Sequence, residues 1–289
     1  MFTDSHCHLC HLSQKEPNFP LILKEMQEEQ FLFVMDIGTD AGDFAQRHQA
    51  VAYAWNKGGR IPDFIHFSAG LWPARTAIEH RQAAMTALEA DIQAILKSGQ
   101  QYAAVGECGI DRYWNCNGAS GKGTDDLAGE EQLFKEQLSL AKRYNLAVII
   151  HSRDGFEATI RCIDEVGWHK GVIHCFSYGK KEAQAFLERG WYLSFSGAVT
   201  YQDIEEKRGI TEELVCMVPT GQLLAETDAP YLAPQPVRKL VNSPLHIPYT
   251  YRLISGYRHC SIEELCATVY RNCCKLFSYK TSKTPDHSA

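Results

Sequence analysis

A chain of 289 residues, 45% hydrophobic and 22% charged, carries enough apolar material for one large folded domain and excludes a disordered chain. Its formal net charge of −6 excludes a broad basic face tracking a nucleic-acid backbone over many phosphates, so any such contact must be local. Eleven scattered cysteines, a start (MFTDSHCHL) without a basic and apolar leader, and no run of about 18 uncharged apolar residues point to a cytoplasmic protein with reduced thiols and no membrane span.

Short apolar runs alternate with longer amphipathic ones, as βα units around a parallel sheet do. Candidate strands lie near 2–8, 31–37, 64–71, 102–107, 147–151, 172–176, 192–195 and 223–226. Eight of them predict a single (β/α)8 barrel of the TIM type over residues 1–279, since such barrels fill about 250 residues. Between them, Phe44, His48, Val51, Ala52 and Trp55, and again Leu133, Phe134, Gln137, Leu138 and Ala141, repeat at helical spacing and read as helix faces packed on the sheet. Gly58, Gly99, Gly167 and Gly190 close helices before the next strand. The segment 112–129 reads as a long loop, functional or a tolerated insertion, and 280–289 as a polar, flexible tail.

His6 and His8 sit two apart on the first strand, so both imidazoles face one side and Cys7 the other, an arrangement that suits a metal ion. His11, beyond the strand, reads as incidental. Glu107 ends the fourth strand, His151 the fifth and His174 the sixth, and Asp228 follows the eighth. A barrel gathers its C-terminal strand ends at one mouth, and six titratable groups recurring there fit a site better than isolated satisfied polar side chains. Four imidazoles and two carboxylates suffice for two divalent ions if one carboxylate bridges them, with Glu107 the candidate bridge. Such a pair acidifies a water, and Asp228 would orient that water and accept its proton, which makes Asp228 and Glu107 the expected catalytic residues. Cys108 and Cys175 are expected to turn away from the mouth as small buried hydrophobes.

Across TDSHCHL, AVGECGID, AVIIHSRD, VIHCFS, LLAETDAPYL and RNCCKLF, the chain resembles the TatD family of metal-dependent deoxyribonucleases, within the amidohydrolase-like barrels. The resemblance implies one metal on His6, His8, Glu107 and Asp228 and a second on Glu107, His151 and His174, with Glu226 supporting them from behind. It also implies magnesium-dependent hydrolysis of DNA phosphodiesters, with single strands or 3′ ends as substrate; a monomer is expected. Imidazole donors alone suit zinc or manganese better, so Mg, Mn and Zn stay open as the two divalent ions. Two positions depart from the family pattern: GLWP puts Trp72 where a histidine is usual near the substrate phosphate, and Cys10 stands where an Asp commonly follows HxHL. Trp72 would stack a base or pack under the following loop, while Arg153, Arg112 and Lys122 are candidates to neutralise phosphates. Two alternatives stand beside the nuclease. One is an amide, ester or lactone hydrolase, disfavoured because many such barrels bridge their metals with a modified lysine and YAAVGECGID has none. The other is a barrel that has lost catalysis and serves as a binding scaffold, disfavoured because all six ligands are retained.

Overall fold

A computed structural model describes residues 1–116, 123–201 and 205–279. The strands are β1 (Thr3–Cys7), β2 (Phe33–Asp36), β3 (Ile65–Ala69), β4 (Ala103–Asp111), β5 (Ala147–Arg153), β6 (Gly171–Ile173), β7 (Tyr192–Phe195) and β8 (Leu223–Ala225). They pair in parallel in that order. Asp228 N donates to His6 O at 2.9 Å and His8 N to Ala229 O at 2.7 Å, which draws the end of β8 back to β1 and nearly closes the barrel. The helices are α1 (Leu9–Lys15), α2 (Phe19–Glu28), α3 (Phe44–Asn56), α4 (Arg75–Glu79), α5 (Arg81–Lys97), α6 (Arg112–Asn115), α7 (Leu127–Tyr144), α8 (Phe156–Val166), α9 (Lys180–Glu188), α10 (Glu205–Met217), α11 (Ile247–Tyr257) and α12 (Ile262–Phe277). This is the (β/α)8 fold expected from the alternation of apolar runs.

The strands lie between two layers of side chains, which is why they read as near-continuous apolar runs: Ala147 to Ile150 on β5 are all buried. The two helical stripes fall on α3 and α7, where Phe44, Val51, Leu133, Phe134, Leu138 and Ala141 are buried against the sheet. Gly167 caps α8 with φ of +63°, a left-handed turn that glycine adopts without penalty. No helix among the described residues is long and apolar enough to cross a membrane, and all eleven cysteines are free thiols.

Three boundaries differ from the sequence reading. β4 does not end at Glu107; after a register shift between Val105 and Cys108 it pairs with β5 as far as Asp111 opposite Arg153. β6 stops at Ile173, so His174 and Cys175 lie beyond it. The segment 112–129 is not a uniform loop, because Asp111 caps the short α6 and Asp126 caps α7. Residues 117–122, Lys122 among them, and the tail 280–289 lie outside the described residues.

Candidate metal centre at the barrel mouth

Alternation along β1 sends the Cys7 thiol into the wall, where Sγ donates to Met35 O at 3.6 Å, and brings His6 Nε2 and His8 Nε2 to 3.3 Å from each other. Glu107 and Asp228 converge on the same point. His6 Nε2 lies 3.4 Å from Glu107 Oε2 and 3.5 Å from Asp228 Oδ1, and His8 Nε2 lies 3.6 and 3.4 Å from those oxygens. Donors about 2.0–2.2 Å from a tetrahedral cation stand about 3.3–3.6 Å apart, so this donor set has the spacing of ligands around one ion. Glu107 Oε1 reaches the other way, 3.1 Å from both His151 Nδ1 and His174 Nε2, which are themselves 3.2 Å apart. One carboxylate therefore joins two groups, His6/His8/Asp228 and Glu107/His151/His174, each able to hold a metal ion.

The charges fit cations. Burial pushes the Glu107 and Asp228 carboxyls up, but facing imidazoles, His174 foremost for Glu107 and His8 for Asp228, bring both below their ordinary value, Glu107 well below. Burial pushes His8, His151 and His174 down, yet the facing carboxylates raise all three, His174 well above the usual range. Burial, together with the charge of His174, lowers His6. A buried wall that keeps carboxylates ionised and draws positive charge to its centre offers what a divalent ion needs.

Hydrogen bonds behind the site hold the chain that carries His6, Asp228 and Glu107. Asp4 accepts from His6 N at 3.2 Å, Thr227 N at 2.9 Å and Thr227 Oγ1 at 2.6 Å, which ties the loop bearing Asp228 to β1; burial raises the Asp4 carboxyl to about 7. Glu107 N donates to Gly38 O at 2.7 Å, and Ser68 Oγ donates to Gly106 O at 2.5 Å. Gly70 must lack a side chain, because a Cβ there would stand 2.4 Å from Gly106 Cα. Gly106 itself has φ of +142° and leads into Glu107 through a cis peptide.

Behind the ligands stand two carboxylates. His151 Nε2 meets Asp111 Oδ2 at 2.7 Å, and His174 Nδ1 meets Glu226 Oε1 at 3.3 Å. A carboxylate can only accept, so each ring carries a proton on that nitrogen and turns its other nitrogen toward Glu107. Glu226 is fully buried and also accepts from Cys175 N at 2.8 Å. Asp111, 1% exposed, was not singled out in the sequence, although an Asp directly before a helical turn is a cap signal, and it accepts from Trp114 N at 3.0 Å. The Nδ1 atoms of His6 and His8 find no such partner among the described residues.

A cavity of about 740 Å³ opens over these groups. Trp72 lines it with its ring centroid 5.9 Å from that of His151, and Arg153 lines it with its guanidinium 3.7 Å over the Tyr113 ring. Arg112 is not brought to the site. Its Nε lies 3.2 Å from Glu130 and its Nη2 2.7 Å from Glu131, so the guanidinium is committed to α7. His11, read as incidental, lines the cavity and stacks on His8 at 5.3 Å. Cys175 also departs from its reading: it lines the cavity with φ of +43° and Sγ 3.1 Å from Ser196 Oγ, because strand alternation has ended at Ile173. Burial pushes its thiol well up, so it stays neutral. Cys108 is buried as expected.

A parallel eight-stranded barrel bearing two joined His/carboxylate groups at its mouth defines the class, a metal-dependent hydrolase. The chain belongs to the TatD family: residues 3–278 match the family described as TatD related DNase. It is 27% identical over 279 residues to the uncharacterized metal-dependent hydrolase YabD of Bacillus subtilis, covering 96% of this chain and 99% of that one. A Citrobacter rodentium protein named 3′-5′ ssDNA/RNA exonuclease TatD is 33% identical over 184 residues, 60% of this chain and 64% of its own. The crystal structure of YJJV, a TatD homolog from Escherichia coli, superposes with a TM-score of 0.76 at 25% identity, covering 96% and 97% of the two chains.

Proposed function

We propose that the chain hydrolyses DNA phosphodiester bonds at a two-ion centre, as a 3′–5′ exonuclease on single strands or 3′ ends. His6, His8 and Asp228 would hold one divalent ion and His151 and His174 the other, with Glu107 shared. The observation that carries this reading is the division of labour within Glu107, whose Oε2 faces one donor pair and whose Oε1 faces the other. Two such ions would supply Lewis acidity toward a phosphoryl oxygen and a water acidified toward neutrality.

The chain's own groups do the rest. Asp228 turns Oδ1 to His6 and His8, which leaves Oδ2 to accept the proton of the attacking water. Glu107 has both oxygens engaged and serves as a ligand rather than a base. Asp111 and Glu226 hold His151 and His174 in the ligating tautomer. Arg153, with no acidic partner among the described residues, is the cation at hand for a flanking phosphate. Few phosphate contacts suffice at a strand end, which reconciles the activity with a net charge of −6. The imidazole-rich donor set favours zinc or manganese over magnesium.

The family description supports DNA as substrate, and the name of the Citrobacter rodentium relative supports the 3′–5′ direction on single strands. End-labelled single- and double-stranded DNA, assayed beside generic esters and lactones across Mg, Mn and Zn, tests the proposal. Stepwise shortening from the 3′ end is the expected result; turnover of esters with intact DNA would overturn it. The proposal takes a monomer in the cytoplasm, which light scattering and cell fractionation check.

A further inference from the structure

Two tyrosines at the mouth stay exposed, Tyr113 at 47% and Tyr231 at 42%, and each carries a cation on one ring face. Arg153 Cζ lies 3.7 Å from the Tyr113 centroid, and Lys15 Nζ lies 4.5 Å from that of Tyr231. Neither cation meets a carboxylate among the described residues, whereas Arg112, beside Tyr113 in the chain, is committed to Glu130 and Glu131. Tyr231 is fixed by a hydroxyl contact to His11 Nδ1 at 3.4 Å and by T-shaped ring contacts with His8 at 5.9 Å and His11 at 6.3 Å, and Tyr113 by a T-shaped contact with Trp114 at 5.1 Å. The two pairs belong to opposite sides of the barrel. Tyr113 follows β4 and Arg153 ends β5, while Lys15 ends α1 after β1 and Tyr231 follows β8; in a ring of eight strands these junctions face each other across the mouth. Arg153 and Tyr231 both line the cavity over the donor groups.

We infer that Tyr113/Arg153 and Tyr231/Lys15 are two nucleotide subsites flanking the metal centre, each giving its exposed tyrosine ring to a base and its cation to the adjoining phosphate. The inference rests on the reading of the site as a phosphodiesterase and adds which residues seat the strand and that it crosses the mouth from one pair to the other. The ligand chemistry is that of a single polynucleotide strand, whose unpaired bases expose π faces and whose phosphates follow at every unit. A duplex is excluded from such subsites because its bases are already stacked and paired. The cation on the far face also sets the ring plane, so the stacking platform is formed before the strand arrives.

Anisotropy of fluorescein-labelled single-stranded oligonucleotides in excess chelator reads binding without turnover. Tyr113→Leu and Tyr231→Leu are each expected to weaken binding about 5- to 150-fold, the stacking contribution of about 1–3 kcal/mol per base at 1.4 kcal/mol per tenfold. Tyr→Phe at the same positions keeps the ring and should stay within about twofold, since stacking needs the π face and not the hydroxyl. An abasic unit at one flank should weaken wild type by the same factor and cost nothing further in the matching Tyr→Leu variant. If wild type cleaves or binds DNA but the folded Leu variants bind and discriminate abasic strands as wild type does, the subsites are refuted and the phosphodiesterase reading stands. If wild type neither binds nor cleaves any strand with any metal, that reading fails and the subsites fall with it.

Discussion

Replacing Asp111 by Asn should weaken metal binding at the Glu107/His151/His174 group while leaving the barrel folded. Asp111 uses both oxygens: Oδ1 accepts from Trp114 N at 3.0 Å and Oδ2 meets His151 Nε2 at 2.7 Å. An Asn that keeps the helix cap with its carbonyl turns its NH₂ toward His151 Nε2. Two donors then face each other, and the ring relieves the clash by moving its proton to Nδ1, the nitrogen that must ligate. The lost bond is buried, Asp111 being 1% exposed, and charge-assisted, a class worth about 1.5–3 kcal/mol. At 1.4 kcal/mol per tenfold this gives about 10- to 150-fold weaker binding, in line with the 10–100-fold typical when an outer carboxylate is removed. Titrating Mn or Zn into metal-stripped protein by calorimetry, beside melting curves, measures it. Affinities at both groups within about threefold of wild type in a stably folded variant would refute the tautomer argument, since that lies well inside the outer-carboxylate range.

Glu107→Gln should lose both ions together, since each Glu107 oxygen faces a different donor group; elemental analysis showing one ion retained at full occupancy would disprove the shared ligand. Asp228→Asn should lower kcat by about 10²- to 10⁴-fold at saturating metal, the range of a positioned base, and a loss under about tenfold would make Asp228 a ligand alone. His66, buried against Phe33 and Tyr102, has its pKa lowered by burial from 6.5 to about 4, so the unfolded chain binds the extra proton. Its contribution is intact above pH 6.5 and erodes as the pH falls toward 4, reaching about 2 kcal/mol of lost stability at pH 5. In denaturant melts at pH 7 and pH 5, His66→Gln should therefore lose less stability on acidification than wild type, and equal losses would contradict the assignment.

The period of two along β1 and the gathering of strand ends were enough to bring His6, His8, His151, His174, Glu107 and Asp228 to one mouth. What failed to read from the sequence shares one physical origin, the points where the strand rule stops. Apolar patterning ends the fourth strand at Glu107, yet the chain continues through a glycine-flanked register shift to Asp111, and only that extension delivers a carboxylate behind His151. Alternation counted past Ile173 turns Cys175 away from the mouth, but the backbone has already left the strand there. Arg112 sits after β4 where a phosphate-binding cation is expected, but its partners come from α7, more than fifteen residues on, and nothing local announces Glu130 and Glu131. The fate of a cation at a barrel strand end is therefore decided by carboxylates from the next helix, which separates Arg153, at the end of β5 and facing the cavity, from Arg112, just past β4 and paired with α7. Ligands fall on both sides of the strand ends, His6, Glu107 and His151 within strands and His8, His174 and Asp228 just past them, and the carboxylates behind them divide the same way, Asp111 closing β4 and Glu226 following β8.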